Sequence, residues 1–262
     1  LNGALPPASS TITIAHDVTI NGAVSNAALS ITVNSAKSLT FGASGTITAT
    51  TVTNNGSIVM TSGGTLTMAS GGTLANSTNT FTRGSGKVVF AGNGTVTGTL
   101  GFNHVDIAGG VDFGTTSTVH GTLSLNTGGY INNSKPPIYG TSSLLKYNTT
   151  GVFGRSSEWN ASTGTVGTTA GYPNDVQISN NTTLNYPNTG ASAFTTTYTV
   201  RDLTIDAGAA FYMDYGSSGT ANKSGALIVG RDISIAGNLS LGDAAGGDLS
   251  VGGNWTHTTG TF

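Results

Sequence analysis

With 262 residues, 40 glycines, no cysteine and only 8% charged residues, the chain departs from an average soluble domain, in which about a quarter of residues are charged. Nine Lys and Arg nearly cancel eleven Asp and Glu, leaving a formal net charge of −2 and no basic stripe. Nucleic acid and anionic membranes, which need clustered cations, are therefore excluded as partners. So are a disulfide framework and any thiolate metal site, and no apolar run approaches the roughly 18 residues of a membrane span.

The chain opens on Leu5-Pro6-Pro7 and then enters a short apolar alternation, Thr11-Ile12-Thr13-Ile14. The pattern returns at Leu29-Ser30-Ile31-Thr32-Val33, Thr65-Leu66-Thr67-Met68 and, near the end, Leu239-Ser240-Leu241. Period two with Thr, Val and Ile marks strands that bury one face, and their recurrence every 8 to 12 residues or so marks an all-β chain. Short motifs repeat. Ser62-Gly63-Gly64-Thr65-Leu66 returns as Ser70-Gly71-Gly72-Thr73-Leu74, and Arg201-Asp202-Leu203-Thr204-Ile205 as Arg231-Asp232-Ile233-Ser234-Ile235. Glycine-led corners between very short strands fit a coil of stacked rungs, each of about 20 residues, better than a sandwich. The expected fold is a single-stranded parallel β-helix, right-handed, running as one continuous solenoid through 1–262.

Three zones are expected within it. Residues 8–130 form regular rungs. Residues 131–200 are loop-rich and Tyr-rich, because Pro136, Pro137, Pro173 and Pro187 interrupt ladder pairing. Residues 201–262 return to regular rungs. The final Thr259-Gly260-Thr261-Phe262 stops inside a strand-like run, so the chain is expected to be a fragment or a processed form.

Few residues invite chemistry. Glycoside hydrolysis needs two facing carboxylates, yet Glu158 is the sole glutamate. Asp202 and Asp206 share a strand face but would stand roughly 13 Å apart. Asp243 and Asp248 flank a glycine corner, where aspartate serves turns. Gly246-Gly247-Asp248 is a single fragment of a calcium-repeat pattern. The histidines, His16, His104, His120 and His257, have no metal spacing. No catalytic, cofactor or metal residue is expected, and no enzyme activity.

Aromatic side chains stand out instead. Tyr139, Tyr147, Trp159, Tyr172, Tyr186 and Tyr212 are candidates for a contact surface with another subunit or a glycan, since tyrosine offers a rigid face and a polar tip. The competing reading is a small core beneath loops that leave the coil. Ice binding would need threonines repeated at one rung position. Thr11-Ile12-Thr13, Thr46-Ile47-Thr48, Thr65-Leu66-Thr67 and Thr95-Val96-Thr97 are the candidates, and their spacing along the chain is irregular.

Several segments carry a resemblance. The opening Leu5-Pro6-Pro7 with residues 11–20, Gly86-Lys87-Val88-Val89-Phe90-Ala91-Gly92-Asn93-Gly94, and Glu158-Trp159 with Gly171-Tyr172-Pro173 are three of them. Leu249-Ser250-Val251-Gly252-Gly253-Asn254-Trp255 is a fourth. Together they resemble the Gly/Thr/Asn-rich β-solenoid regions of large secreted, adhesin-like surface proteins of Bacteroidota-type bacteria. The resemblance implies export, a place at the cell surface or in extracellular filaments, a structural or adhesive role, and no catalytic motif. Self-association end to end, or stacking on flanking chain, is the partner it leads one to expect. Glycan binding is the alternative, a β-helix carbohydrate-active enzyme the next, and ice binding the last.

Overall fold

The structure is a computed structural model that describes residues 10–24, 28–77, 80–187, 193–215, 223–242 and 244–262. Leu5-Pro6-Pro7 and Asp243 lie outside the described residues. The fold is an all-β parallel solenoid, and its largest sheet has 15 strands. The chain divides into two compact units, Leu1–Leu123 with Gly128–Pro137, and Ser124–Thr127 with Ile138–Phe262.

In the first unit, the strands Ser10–Ile14, Ala28–Val33, Thr46–Asn54, Thr65–Asn76 and Gly94–Gly98 lie side by side in parallel. Thr46–Asn54 and Thr65–Asn76 are long because each turns a corner, with a register shift between Ala49 and Thr51. Their leading halves continue a second face with Lys87–Phe90 and His104–Ile107. A third face holds Val18–Ile20, Ser38–Phe41, Ser57–Val59 and Thr80–Thr82.

The alternation explains the coil. In Thr46–Asn54, on either side of the corner at Thr50 and Thr51, every second side chain turns inward and is buried, so that inward residues of successive turns stack. Ile47 lies over Leu66, Leu66 over Val88 and Val88 over Val105; Val52, Leu74 and Val96 form a second column. Each such side chain contributes about 1.5–3 kcal/mol by leaving water. Three phenylalanines meet edge to face within, Phe113 against Phe90 at 6.4 Å and against Phe102 at 6.1 Å.

At one corner a buried amide ladder replaces apolar packing. Asn54 Nδ2 donates to Asn76 Oδ1 at 2.7 Å, and Asn76 Nδ2 donates to the Thr99 carbonyl at 2.9 Å. Most buried polar groups are bonded, and an asparagine at the same place in successive turns bonds its neighbour.

The Ser-Gly-Gly-Thr-Leu repeat behaves differently from its appearance. Thr65 pairs with Thr46 and Thr73 with Thr51, so the Thr-Leu of both copies sits in the same strand, on either side of one corner. Eight residues are too few to complete a turn. Residues brought together on adjacent turns are 17 to 23 apart here, as in Gly110 with Asn93 and Ser57 with Thr80.

The second unit repeats the arrangement with longer excursions. One face stacks Leu144–Asn148, Asp175–Ile178, Asp202–Ile205, Ile233–Ile235 and Trp255–His257. Another stacks Val152–Gly154, Thr183–Asn185, Ala210–Tyr212 and Asn238–Ser240. The third has Tyr198–Val200, Leu227–Val229 and Leu249–Val251. Partners on adjacent turns are now 26 to 33 residues apart, as in Arg201 with Asp175 and Asn174 with Thr141. The separation returns to 22 for Asn254 with Asp232. The extra residues lie in segments that leave the coil, Arg155 to Asn174 being the longest described.

Candidate functional site

The segment that follows strand Val152–Gly154 buries two charged side chains, Arg155 and Glu158. A single 3-10 turn, Ser157–Trp159, folds back and buries both Glu158 and Trp159. The Trp159 ring meets Tyr186 at 5.9 Å and Tyr198 at 6.1 Å, and Tyr186 in turn meets Phe211 at 5.5 Å. Arg155 lies nearly buried among these rings, its guanidinium 4.0 Å from the centre of Tyr198. Its Nε donates to the Tyr186 carbonyl at 2.8 Å, and its Nη1 donates to the Trp159 carbonyl. A cation over desolvated aromatic faces is favourable, and the two carbonyls take two of its five N–H donors.

Glu158 is the acid of this cluster. Its Oε1 accepts from the Tyr147 hydroxyl at 2.9 Å and from the Ser156 amide at 2.7 Å, while its carbonyl accepts from the Tyr139 hydroxyl at 2.8 Å. Oε2 is buried without a hydrogen bond, and so is Trp159 Nε1. Burial pushes the Glu158 carboxyl above the usual range, against the pull of the bonds it accepts and of the Arg155 charge. Burial also lifts the Tyr139 and Tyr147 hydroxyls well above theirs, with the Glu158 charge adding to the effect.

This placement corrects the expectation of an aromatic contact surface for four of its six residues. Tyr139, Tyr147, Trp159 and Tyr186 are each 0% exposed. A segment that leaves the coil strands its backbone from the main core, and large rings with polar tips both fill that space and bond its carbonyls. Tyr172 and Tyr212 are half-buried and still reach the surface. The sequence reading missed Arg155 as the centre of the cluster. The signal was there: the lone glutamate beside a tryptophan and three residues after an arginine, in a chain with almost no charge.

Tyr172 borders a shallow cleft of about 260 Å³ with Val166, Pro173, Asn174, Thr199 and Arg201. One ring, one proline and two polar side chains could hold a single sugar residue. The guanidinium of Arg201 is already taken by Asp175, to which its Nε donates at 2.8 Å.

The remaining candidates are spread apart. Asp202 accepts from Arg231, whereas Asp206 accepts from Gln177 Nε2 at 2.8 Å. Nδ1 of His104 accepts from the Thr122 amide at 3.2 Å. Among the described residues no three His, Asp or Glu side chains group as metal ligands, and no helix is long and apolar enough to cross a membrane. No family model, no curated protein and no solved structure matches this chain.

Proposed function

We propose that the chain is an extracellular structural or adhesive segment of a bacterial surface or filament protein, and that it catalyses no reaction. The observation that carries this reading is where the charged side chains go. In the second unit Asp175, Arg201, Asp202, Arg231 and Asp232 bond one another from turn to turn along one face, and Arg155 and Glu158 are enclosed within the aromatic cluster. Their chemistry is spent on holding turns together. A stack of short parallel strands with little charge suits a passive load-bearing or displaying element.

Self-association fits the same reading. A rung of parallel strands pairs only with its neighbours, so one coil can extend another by strand pairing. Electron microscopy of the purified chain at rising concentration tests it: linear end-to-end particles are the expected result, and strict monomers at every concentration would count against assembly. Incubation with a polysaccharide panel, followed by reducing-end detection, tests the claim that nothing is cleaved.

A glycan-binding reading is favoured by one feature, the Tyr172 cleft. If it holds sugar, Tyr172→Ala removes retention on a glycan array while leaving the far-ultraviolet spectrum unchanged.

A further inference from the structure

The strand register of the first unit assembles an array that the sequence hides. Thr11 pairs with Ser30, Ser30 with Thr51, Thr51 with Thr73 and Thr73 with Thr95. Two residues further along the same strands, Thr13, Thr32, Thr53, Ala75 and Thr97 align in the same way. Nine of these ten positions carry a hydroxyl and eight are threonine. None is charged. All ten are exposed or half-buried, while the residues between the two columns on four of the strands, Ile31, Val52, Leu74 and Val96, are at most 1% exposed.

Geometry follows from the sheet. Adjacent parallel strands are about 4.8 Å apart, and side chains two residues apart on one strand are roughly 6.6 Å apart. The face therefore presents hydroxyls and methyls on a two-dimensional grid over five turns. Ser30 Oγ lies 3.2 Å from Thr11 Oγ1, which shows how closely neighbours along a column approach. Threonine is stiff at χ1, and buried residues between the columns pin the backbone, so the grid is ordered before anything binds. The neighbouring face lacks this character: there Thr46 and Thr65 are followed on the next turn by Lys87, which bonds Asp106 at 2.9 Å.

We propose that the outward face carrying Thr11, Thr51, Thr73, Thr95, Thr53 and Thr97 is an ice-binding surface. A rigid, uncharged, regular grid of hydroxyls and methyls has no single small molecule to match. Its natural ligand is itself a lattice, and both grid repeats lie near those of water in ice. Each methyl shelters an ordered water and each hydroxyl anchors it, so the face gains from ice what it cannot gain from disordered liquid. Free energy per contact is small, and rigidity beforehand lets many contacts add. Of the triplets Thr11–Thr13, Thr46–Thr48, Thr65–Thr67 and Thr95–Thr97, only the first and the last belong to this face. Thr46–Thr48 and Thr65–Thr67 belong to the neighbouring one. The other rows are supplied by Ser30-Ile31-Thr32, Thr51-Val52-Thr53 and Thr73-Leu74-Ala75.

Thermal hysteresis and ice-shaping measurements on the purified chain test the proposal apart from any structural or adhesive role. The expected result is faceted crystals and a measurable hysteresis gap. Thr51→Lys with Thr73→Lys should abolish most of it with the β spectrum intact, whereas Thr67→Lys on the neighbouring face should leave it unchanged. Should the lysine pair disturb folding, Thr51→Ser with Thr73→Ser keeps the hydroxyls, removes only the methyls, and should still reduce the gap. An intact chain without hysteresis, folded variants of both pairs that keep all of it, or retention on chitin or cellulose without any effect on ice would overturn the proposal.

Discussion

Arg231 grips Asp202 from the next turn of the coil, its Nε and Nη2 donating to the two carboxylate oxygens of a residue 29 positions earlier. Arg201 does the same to Asp175, so each Arg-Asp pair holds the turn before it and offers a carboxylate to the turn after. The sequence repeat Arg-Asp-Leu-Thr-Ile and Arg-Asp-Ile-Ser-Ile is this ladder written along the chain. At the next turn Asn254, in the register of the aspartate, takes over the donor role and donates to Asp232 through its amide at 2.8 Å and its side chain at 3.0 Å.

Burial alone would raise the Asp202 carboxyl, but the bonds from Arg231 and from the Asp232 amide outweigh it and hold it below the usual range. A lowered folded value means that the charged form is favoured by folding. The contribution is full above the ordinary aspartate value of about 3.9 and is lost as pH falls through the folded value. Asp202→Asn should thus lower the melting temperature by a few degrees at neutral pH, the scale of a modest ion-pair loss in a chain of this size. Because Arg231 is exposed, the difference should shrink in high salt. Melting curves at two salt concentrations check both statements.

Gly98 is a position where only glycine fits. Its φ of 81° is left-handed, and a Cβ there would overlap the carbonyl oxygen of Asn76, the residue that carries the amide ladder. Backbone strain of about 1–3 kcal/mol adds to an overlap that rigid backbone cannot relieve. Gly98→Ala should destabilise by about 2 kcal/mol or more in urea unfolding. At Gly22, where a Cβ meets nothing within 4 Å, the same change should be close to neutral.

The buried half of the aromatic group is core, so its loss should be felt as stability. Trp159→Ala should cost about 3–5 kcal/mol, whereas Tyr172→Ala, at the rim of its cleft, should cost far less. Chemical denaturation of the two variants separates them. Equal and small losses would show that Trp159 is not part of the core.

What could be read in advance follows from the range of each interaction. Alternation is local, so strands, the all-β class and the solenoid were legible from runs such as Thr46-Ile47-Thr48. The Arg-Asp repeat was legible too, because its two copies lie one turn apart. Register was not. Thr51 and Thr73 meet only because the turn between them takes 22 residues, a length set by corners whose bends leave no fixed spacing in the sequence. The Ser-Gly-Gly-Thr-Leu copies misled for the same reason. The tyrosines gave their location but not their direction, since a ring that bonds a buried carbonyl and one that faces a partner have the same composition.

Glu158 makes the pH response of the second unit run in two directions. Its folded value is raised, chiefly by burial, so folding favours the protonated acid. That contribution is fully present below the ordinary glutamate value of about 4.3 and is lost as pH rises through the folded value, opposite in sign to Asp202. Stability of the wild-type chain should therefore fall as pH climbs above that range, after the rise due to Asp202 at lower pH. Glu158→Gln replaces a carboxyl whose charged form burial disfavours with a neutral amide, whose oxygen can still accept from Tyr147 and Ser156. The variant should be at least as stable as the wild type at pH 7, less stable at pH 4 relative to it, and free of the falling limb. Urea unfolding across pH 4 to 8 measures all three. A wild-type falling limb that survives in Glu158→Gln would assign it to another group.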